Sequence, residues 1–364
     1  MVVETKSENL ITKIDVFREK MAESKTDFLI DQILPTNTID MLVAEPKSKK
    51  SFLAITMAGA VASGRPWLKK FTTKHMPVLY LNLEVAPEYF NEMINKTLGK
   101  DYTGDLYIAH NNFQNPFKFR LSISKISREQ KNAVGKKEYI GLKEISLSTQ
   151  VKETLDKFKE EVPSLGLIIV DSFRRSTTIN ENDSGEVSIY FDMLNKIRAM
   201  WEKSTILIIH HTVKSSVDST NPGSVRGSGD ILAGIDNLYQ LIPQQKASAK
   251  GREIITLRTD YGRIKLNDGY SNGIDIGIYD CKDDGGDKRL LFNWLGQAYE
   301  GTNKVETAKN KIKEVLSEKG SLEFTELEAE VMEKGVSRST FKNALNNLKE
   351  INEVVNNLGY YELG

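Results

Sequence analysis

Short apolar runs alternate with segments of helical spacing over most of this chain. Ile39–Val43, Pro77–Leu83, Leu165–Val170 and Thr205–Ile209 are nearly unbroken hydrophobic stretches, the pattern of parallel strands covered on both faces. Between them come segments with apolar positions three and four apart. One runs from Lys50 to Ser63. Another opens at Pro87 and uses Tyr89, Phe90, Met93 and Ile94 as its apolar face. A third spans Thr149–Glu161, and a fourth carries Ile189, Phe191, Leu194, Ile197 and Met200. Further strands are read near 235–242 and 253–259, with hairpins through 262–299. The alternation over 37–260 predicts an α/β fold with a mostly parallel sheet.

The ends of the chain have other textures. Residues 5–30 are charged, with Leu10, Ile14, Phe17 and Met21 at helical spacing, and Ile33-Leu34-Pro35 closes this leader. It reads equally as a packing or oligomer arm and as an extra helix on its own core. Residues 120–137 are basic and begin with an alternating L-S-I-S-K-I-S, which suits a hairpin, a lid or a solvated insertion. From Val305 three amphipathic helices are expected, Val305–Ser317, Phe324–Lys334 and Ser337–Ile351. A hairpin turning at or near Asn356-Asn357 follows. Three helices and a hairpin describe a winged helix-turn-helix. The expected division is a helical arm over 1–36, an α/β core over 37–300 and this small domain over 301–364.

Composition narrows the class. The 364 residues carry 50 basic and 50 acidic side chains, so no global field draws the chain to a polyanion, and any such contact is local. A single cysteine, Cys281, excludes a disulfide framework and a Cys-rich zinc site. The N-terminus lacks the apolar core of a signal peptide, and the longest apolar run, Phe52–Ala62, is too short to span a bilayer. A cytoplasmic protein without membrane contact is expected.

The chemistry gathers at strand ends, where open α/β sheets place their ligands. Leu42–Ser63 reads as a buried strand, a tight polar loop and an apolar helix whose first turn holds Lys50 and Ser51. That is the layout of a phosphate-binding loop. Backbone N–H groups wrap the phosphates, a lysine reaches them and a hydroxyl meets Mg²⁺. Ala44, Glu45, Pro46, Lys47, Ser48, Lys49, Lys50, Ser51 and Phe52 would form this cradle for ATP. Ala44 and Lys49, however, occupy the positions where the usual motif has glycine. Glu84 ends the second strand and is placed to act on an attacking water, or to cap a helix. Asp171 ends an all-apolar strand, as an acid that holds Mg²⁺ with Ser51 would. His210 or His211 is placed to sense a γ-phosphate.

These stretches, with T-D-F-L-I-D-Q-I-L-P, A-S-G-R-P-W-L, L-I-I-V-D-S-F-R-R, I-L-I-I-H-H-T-V-K and V-R-G-S-G-D-I-L-A-G-I-D-N-L, resemble the RepA-like branch of the RecA/DnaB ATPases over roughly 25–265. The resemblance implies a RecA-like P-loop core that hydrolyses Mg·ATP as a DNA translocase or helicase of a plasmid or viral replication system. It implies a ring, such as a hexamer, of identical subunits. Lys50 and Ser51 would serve the triphosphate and Mg²⁺, Glu84 as base, Asp171 as the Walker B acid, and His211 or His210 as the switch to DNA. Loops 174–185 and 214–229 would face a central channel, where Lys214 and Arg226 meet single-stranded DNA. Family members carry K-x-R near the end of the core, its arginine reaching a neighbour's γ-phosphate. Here Asp260 stands at that place, which leaves Arg258 and Arg263 as candidates, and Tyr239 stands where a D-N-x-R motif has its arginine. An absent arginine would permit an alternative, a catalytically weak nucleotide-sensing, DNA-binding regulator. In the C-terminal module Arg338 and Lys342 could enter duplex DNA, but 304–364 holds nine Lys and Arg against eleven Glu and no Asp, which leaves a winged helix used for protein contact as the alternative.

Overall fold

The structure, a computed structural model, describes residues 13–21, 26–110, 122–131, 137–146, 149–202, 204–212, 229–243, 252–262, 273–298, 304–350, 353–357 and 359–363. The chain divides into two compact units. One takes Met1–Leu42, Lys49–His211 and Val225–Asn237, and the other takes Val43–Ser48, Thr212–Ser224 and Leu238–Gly364.

In the first unit α1 (Ile14–Met21) precedes the short pair β1 (Phe28–Ile30) and β2 (Leu34–Pro35). Then come β3 (Ile39–Ala44, its last two residues counted with the second unit), α2 (Lys50–Ser63), β4 (Val78–Asn82), α3 (Pro87–Thr97) and β5 (Leu106–His110). The hairpin β6 (Ser122–Lys131) and β7 (Lys137–Ser146) leads to α4 (Thr149–Glu161), β8 (Leu167–Asp171), α5 (Phe173–Ser176), α6 (Ser184–Arg198), β9 (Thr205–His211) and α7 (Asp230–Gly234). The sheet runs β3-β9-β8-β4-β5, and the β4–β5, β4–β8 and β8–β9 pairs are parallel. Every residue of β3, β4 and β8 is buried, as continuous Val, Ile and Leu runs require.

Small side chains in α2 let it be enclosed. Ten of its fourteen residues are buried, among them Ala54, Ala58, Gly59, Ala60 and Ala62. A Cβ on Gly59 would lie 2.4 Å from Leu98 Cδ2. The helix ends at Gly64, whose φ of 68° lets its N–H reach the Val61 carbonyl. On the far side of the unit, Trp201 is fully buried, packs on Phe158 and donates its indole N–H to the Val162 carbonyl at 2.8 Å.

A buried polar brace fixes the start of β3. Asp40 accepts from Thr38 Oγ1 at 3.0 Å and from Asn237 Nδ2 at 2.8 Å, while Asp236 and Ile39 exchange backbone and side-chain bonds at 2.7 and 2.9 Å. The Asp236-Asn237 pair is therefore structural, and Tyr239 is buried at 1% exposure, so it offers no surface group in place of an arginine.

The second unit holds β10 (Asn237–Pro243), β11 (Arg252–Gly262), β12 (Ile274–Lys282) and β13 (Lys288–Gln297) in the order β13-β12-β11-β10. The β11–β12 and β12–β13 pairs are antiparallel. It continues with α8 (Lys304–Lys319), β14 (Leu322–Glu323), α9 (Phe324–Glu333), α10 (Arg338–Glu350), β15 (Val354–Asn357) and β16 (Tyr360–Leu363). Ile312, Leu327, Val331, Phe341, Leu345 and Leu348 form the centre of this last part, beneath a sheet ordered β14-β16-β15.

Most expected elements appear within two or three residues of their read limits. The segment 120–137 does contain a hairpin arm, and its partner strand is 137–146. Some details differ: the leader expected as a helical arm over 1–36 also holds the strands β1 and β2, and α5 stands at the start of the loop read at 174–185. Tyr89 is 67% exposed and belongs to no apolar face. The last turn lies near the expected Asn356-Asn357, directly after Asn357, and uses Gly359 at φ 99°. The strand β14, only two residues long, carries no readable period. Leu10 lies outside the described residues. Among those described, no helix is long and apolar enough to cross a membrane.

Replacing Trp201 by Phe keeps most of the ring packing but leaves the Val162 carbonyl unpaired. A loss of about 1–3 kcal/mol is expected in urea unfolding.

Candidate active site

The loop ahead of α2 is shaped by its own sequence. Ser48 N–H bonds the Glu45 carbonyl at 3.4 Å, closing a turn with Pro46 and Lys47 at its centre. Proline fixes the first central φ, and Lys47 takes φ 65°, the arrangement of a type II turn. Lys49 is also left-handed, at φ 65° and ψ 23°, and forms the N-cap of α2, with its carbonyl accepting from Leu53 N–H at 3.0 Å. A lysine thus adopts the conformation that glycine usually supplies, at a cost of about 1–2 kcal/mol. Glu45, Pro46 and Lys47 are exposed, Ser48 is buried, Lys49 is half-buried, and Ser51 and Phe52 begin the helix half-buried.

Lys50 follows at the first position of α2, only 6% exposed. Its Nζ lies 3.3 Å from His211 Nδ1. An ammonium has only donors, so the imidazole accepts through Nδ1. Burial lowers the Lys50 pKa, and the nearby carboxylates of Asp171 and Glu84 oppose that shift.

Asp171, the last residue of β8, is 2% exposed. Its Oδ2 accepts from the Tyr80 hydroxyl at 2.8 Å, and Ser51 also hydrogen-bonds the carboxylate. Burial raises its pKa. The two hydrogen bonds and Lys50 pull it back, while the negative charge of Glu84 adds to the rise. Tyr80, buried in β4 beside this carboxylate, has its own pKa driven well up, first by burial and then by the charge of Asp171.

Glu84 sits beyond β4 on a constrained corner. The Asn82 side chain both donates to the Val85 carbonyl (2.8 Å) and accepts from Val85 N–H (3.1 Å). Leu83 N–H then bonds the Asp171 carbonyl at 2.8 Å. The corner holds Glu84 exposed, within electrostatic reach of Lys50 and Asp171.

Strand alternation separates the two histidines. His211 reaches Lys50, whereas His210 is 1% exposed and stacks edge-on against Phe173 at 4.8 Å. Of the two open choices only His211 belongs with this group. Tyr80 was missed in the sequence. Its signal was a lone hydroxyl inside an all-apolar strand, which a buried tyrosine must satisfy.

Arg258 is half-buried on β11 of the second unit. Lys214, Arg226 and Arg263 lie outside the described residues, as does most of loop 214–229. Arg174 and Arg175 of loop 174–185 are exposed on α5. Arg338 Nε pairs with Glu328 Oε1 at 3.0 Å, and Lys342 is exposed.

These residues fit a magnesium nucleotide. A buried ammonium suits phosphate oxygens, and the Ser51 hydroxyl beside the Asp171 carboxylate is an oxygen donor set of the hard kind that Mg²⁺ takes. Ser172 Oγ after Asp171 is a buried hydroxyl that finds no hydrogen-bond partner among the described residues, a donor left over for a ligand. Lys50 would neutralise phosphate charge, and Ser51 with Asp171 would hold the ion. When bound, the ion draws negative charge from the phosphate oxygens.

Two outcomes test this geometry. Lys49→Gly relieves a left-handed lysine, so the variant should be as stable as the parent or up to ~1 kcal/mol more so in thermal melts, with undiminished nucleotide affinity. Asp171→Asn addresses pH. Because the folded-state pKa of Asp171 is raised, the ionised carboxylate costs stability above the ordinary carboxylate range, and that cost fades as the pH falls through the raised value. The Asn variant should therefore exceed the nucleotide-free parent in stability at pH 7, with the gap shrinking toward pH 4 in urea titrations.

A protein-family model described as AAA domain matches residues 15–217, more than half of the chain. None of the curated proteins compared with it matches. The match takes in the phosphate loop, Glu84, Asp171 and His211 together, and the chain belongs to this AAA-domain family of P-loop ATPases.

Proposed function

We propose that the protein hydrolyses ATP at this centre and spends the energy on DNA, as a translocase or helicase-like ring protein in the replication of a plasmid or virus. The observation that carries the ATPase part is the buried group of Lys50, Tyr80 and Asp171, with the half-buried Ser51 bonded to the Asp171 carboxylate and Glu84 exposed beside it. In this reading the backbone of the loop and Lys50 bind the triphosphate. Glu84 orients the attacking water and receives its proton. Tyr80 holds the Asp171 carboxylate in place. Phosphate oxygens compete with His211 for the Lys50 ammonium, so nucleotide binding releases an imidazole at the end of β9, next to the segment that would meet DNA.

The DNA part is supported by the C-terminal module, which we read as a winged helix-turn-helix with α10 as the helix that enters duplex DNA. Its acidic total is unevenly spread. Glu314, Glu318, Glu330 and Glu353 are ion-paired with Lys334, Lys319 and Lys313, mostly on α8 and α9. The exposed residues of α10 with described side chains are Arg338, Ser339, Lys342, Asn343, Asn346, Asn347 and Lys349, and none is acidic. Asn amides and basic side chains on one helix suit base edges and phosphates.

One feature favours the alternative of a slow, nucleotide-sensing regulator. Asp260 stands where relatives of the RepA type carry an arginine that stabilises the transition state, a group worth several orders of magnitude in turnover. Steady-state ATPase assays with and without single-stranded DNA separate the two. Hydrolysis stimulated by DNA supports the motor, and near-zero turnover in both supports the regulator. Lys50→Ala should abolish hydrolysis. Glu84→Gln should keep nucleotide affinity while losing roughly 10²–10⁴-fold in turnover.

A further inference from the structure

Ser172 is a polar group of this centre that the fold itself does not use. It is 1% exposed, and its Oγ finds no hydrogen-bond partner among the described residues. A buried hydroxyl in that state costs the folded chain free energy, because it has given up water without a replacement. Its backbone is held in place. The Ser172 carbonyl accepts from Arg175 N–H at 3.0 Å and from Ser176 N–H at 2.9 Å. The next side chain, Phe173, is fully buried and lies edge-on to Tyr190 and His210, with ring centroids 4.9 and 4.8 Å away. Ser172 precedes α5 at a position where a serine side chain usually accepts a backbone N–H, yet it makes no such bond. Ser176 shows the ordinary outcome. Its hydroxyl, equally buried, bonds the Phe173 carbonyl and the Tyr190 hydroxyl, both at 2.8 Å.

Strand register fixes what surrounds this residue. Asp171 lies opposite Asn82 of β4 and Ile209 of β9. Ser172 follows Asp171, so it stands at the carboxyl edge of the sheet between two strand ends. One leads to Glu84, two residues past Asn82, and the other reaches His211, two residues past Ile209. The Leu83 N–H bond to the Asp171 carbonyl closes the gap on the Glu84 side. We propose that the Ser172 hydroxyl is reserved for substrate: it donates to a γ-phosphate oxygen of ATP and so distinguishes the triphosphate from the diphosphate. This rests on the ATPase reading above. The hydroxyl keeps its proton throughout, Glu84 taking that of the attacking water, and charge on the γ-phosphate oxygens strengthens the bond. In a chain with Asp260 where an arginine is expected, a donor at that oxygen supplies part of the stabilisation an arginine would give.

Ser172→Ala tests this through two readouts of opposite sign. A serine that served the fold would lower the melting temperature on becoming alanine. Here the full-length variant, free of nucleotide, should melt no lower than the parent, because it sheds an unpaired polar group. With Mg²⁺ present, its affinity for the β,γ-imido analogue of ATP should fall about ten-fold or more, while its affinity for ADP stays within about two-fold. Both are read by displacement of a fluorescent ADP. Ser172→Cys, which keeps a side chain of similar shape but offers only a weak S–H donor, should lose affinity for the analogue in the same way. A melt below the parent's, an equal loss for ADP and the analogue, or undiminished analogue affinity in either variant overturns the proposal. In each of those cases the parent still binds both nucleotides, so the ATPase reading stands. A parent that binds neither nucleotide, or binds them no better than Lys50→Ala does, overturns that reading and this proposal together.

Discussion

The centre depends on one costly arrangement, a lysine and an aspartate withdrawn from water at the carboxyl edge of a parallel sheet. Each ion would lose several kcal/mol of hydration if left alone. Lys50 answers with an imidazole and the field of two carboxylates. Asp171 answers with the hydroxyls of Tyr80 and Ser51. The compensation is incomplete, since both pKa values are displaced toward the neutral forms. A site strained in this way is completed by a ligand carrying both signs, anionic phosphate for the lysine and a cation for the carboxylate. The protein holds unfavourable charge so that the nucleotide and its ion relieve it.

Around that pair the backbone does the positioning. Leu83 N–H bonds the carbonyl of Asp171, so the chain that carries Glu84 is tied to the residue whose carboxylate it must serve. Asn82, in register with Asp171 on the neighbouring strand, folds the corner through its own side chain. Asp171, Glu84 and Lys50 are thus placed by strand register and two hydrogen-bonded corners, and Glu45–Lys47 is the exposed part of the loop.

Much of this was legible because burial on both faces writes itself as unbroken apolar runs. Glu84, Asp171 and the His210-His211 pair stood out as polar residues ending such runs, Lys50 as the opening of the helix after a polar loop, and the limits of the strands that were read fell within two or three residues of the observed ones. Three things were not legible, for separable reasons. The choice between His210 and His211 depends on strand parity, which sequence gives only once the strand's partner faces are known. Lys49 in the left-handed region contradicts the propensity on which motif patterns rest, and its tolerance is a property of the assembled loop. Tyr80 reads as one more apolar residue until its neighbour across the sheet is known to be an acid. In the C-terminal module the net charge hides its distribution: ion pairs join acids and lysines mostly of α8 and α9, Arg338 of α10 pairs with Glu328, and none of the exposed described residues of α10 is acidic.

The enclosure of α2 has a consequence for how the protein acquires its activity. A helix that is apolar on every side cannot be satisfied by docking on one layer, and gains its stability only when sheet and flanking helices close around it together. The phosphate loop is the lead-in to that helix and has no independent scaffold. A nascent or partly unfolded chain therefore presents no weakened version of the nucleotide site. Binding competence arrives in a single step with the assembled core, and nucleotide, by favouring that state alone, acts as a ligand of the fold as much as of the catalytic groups.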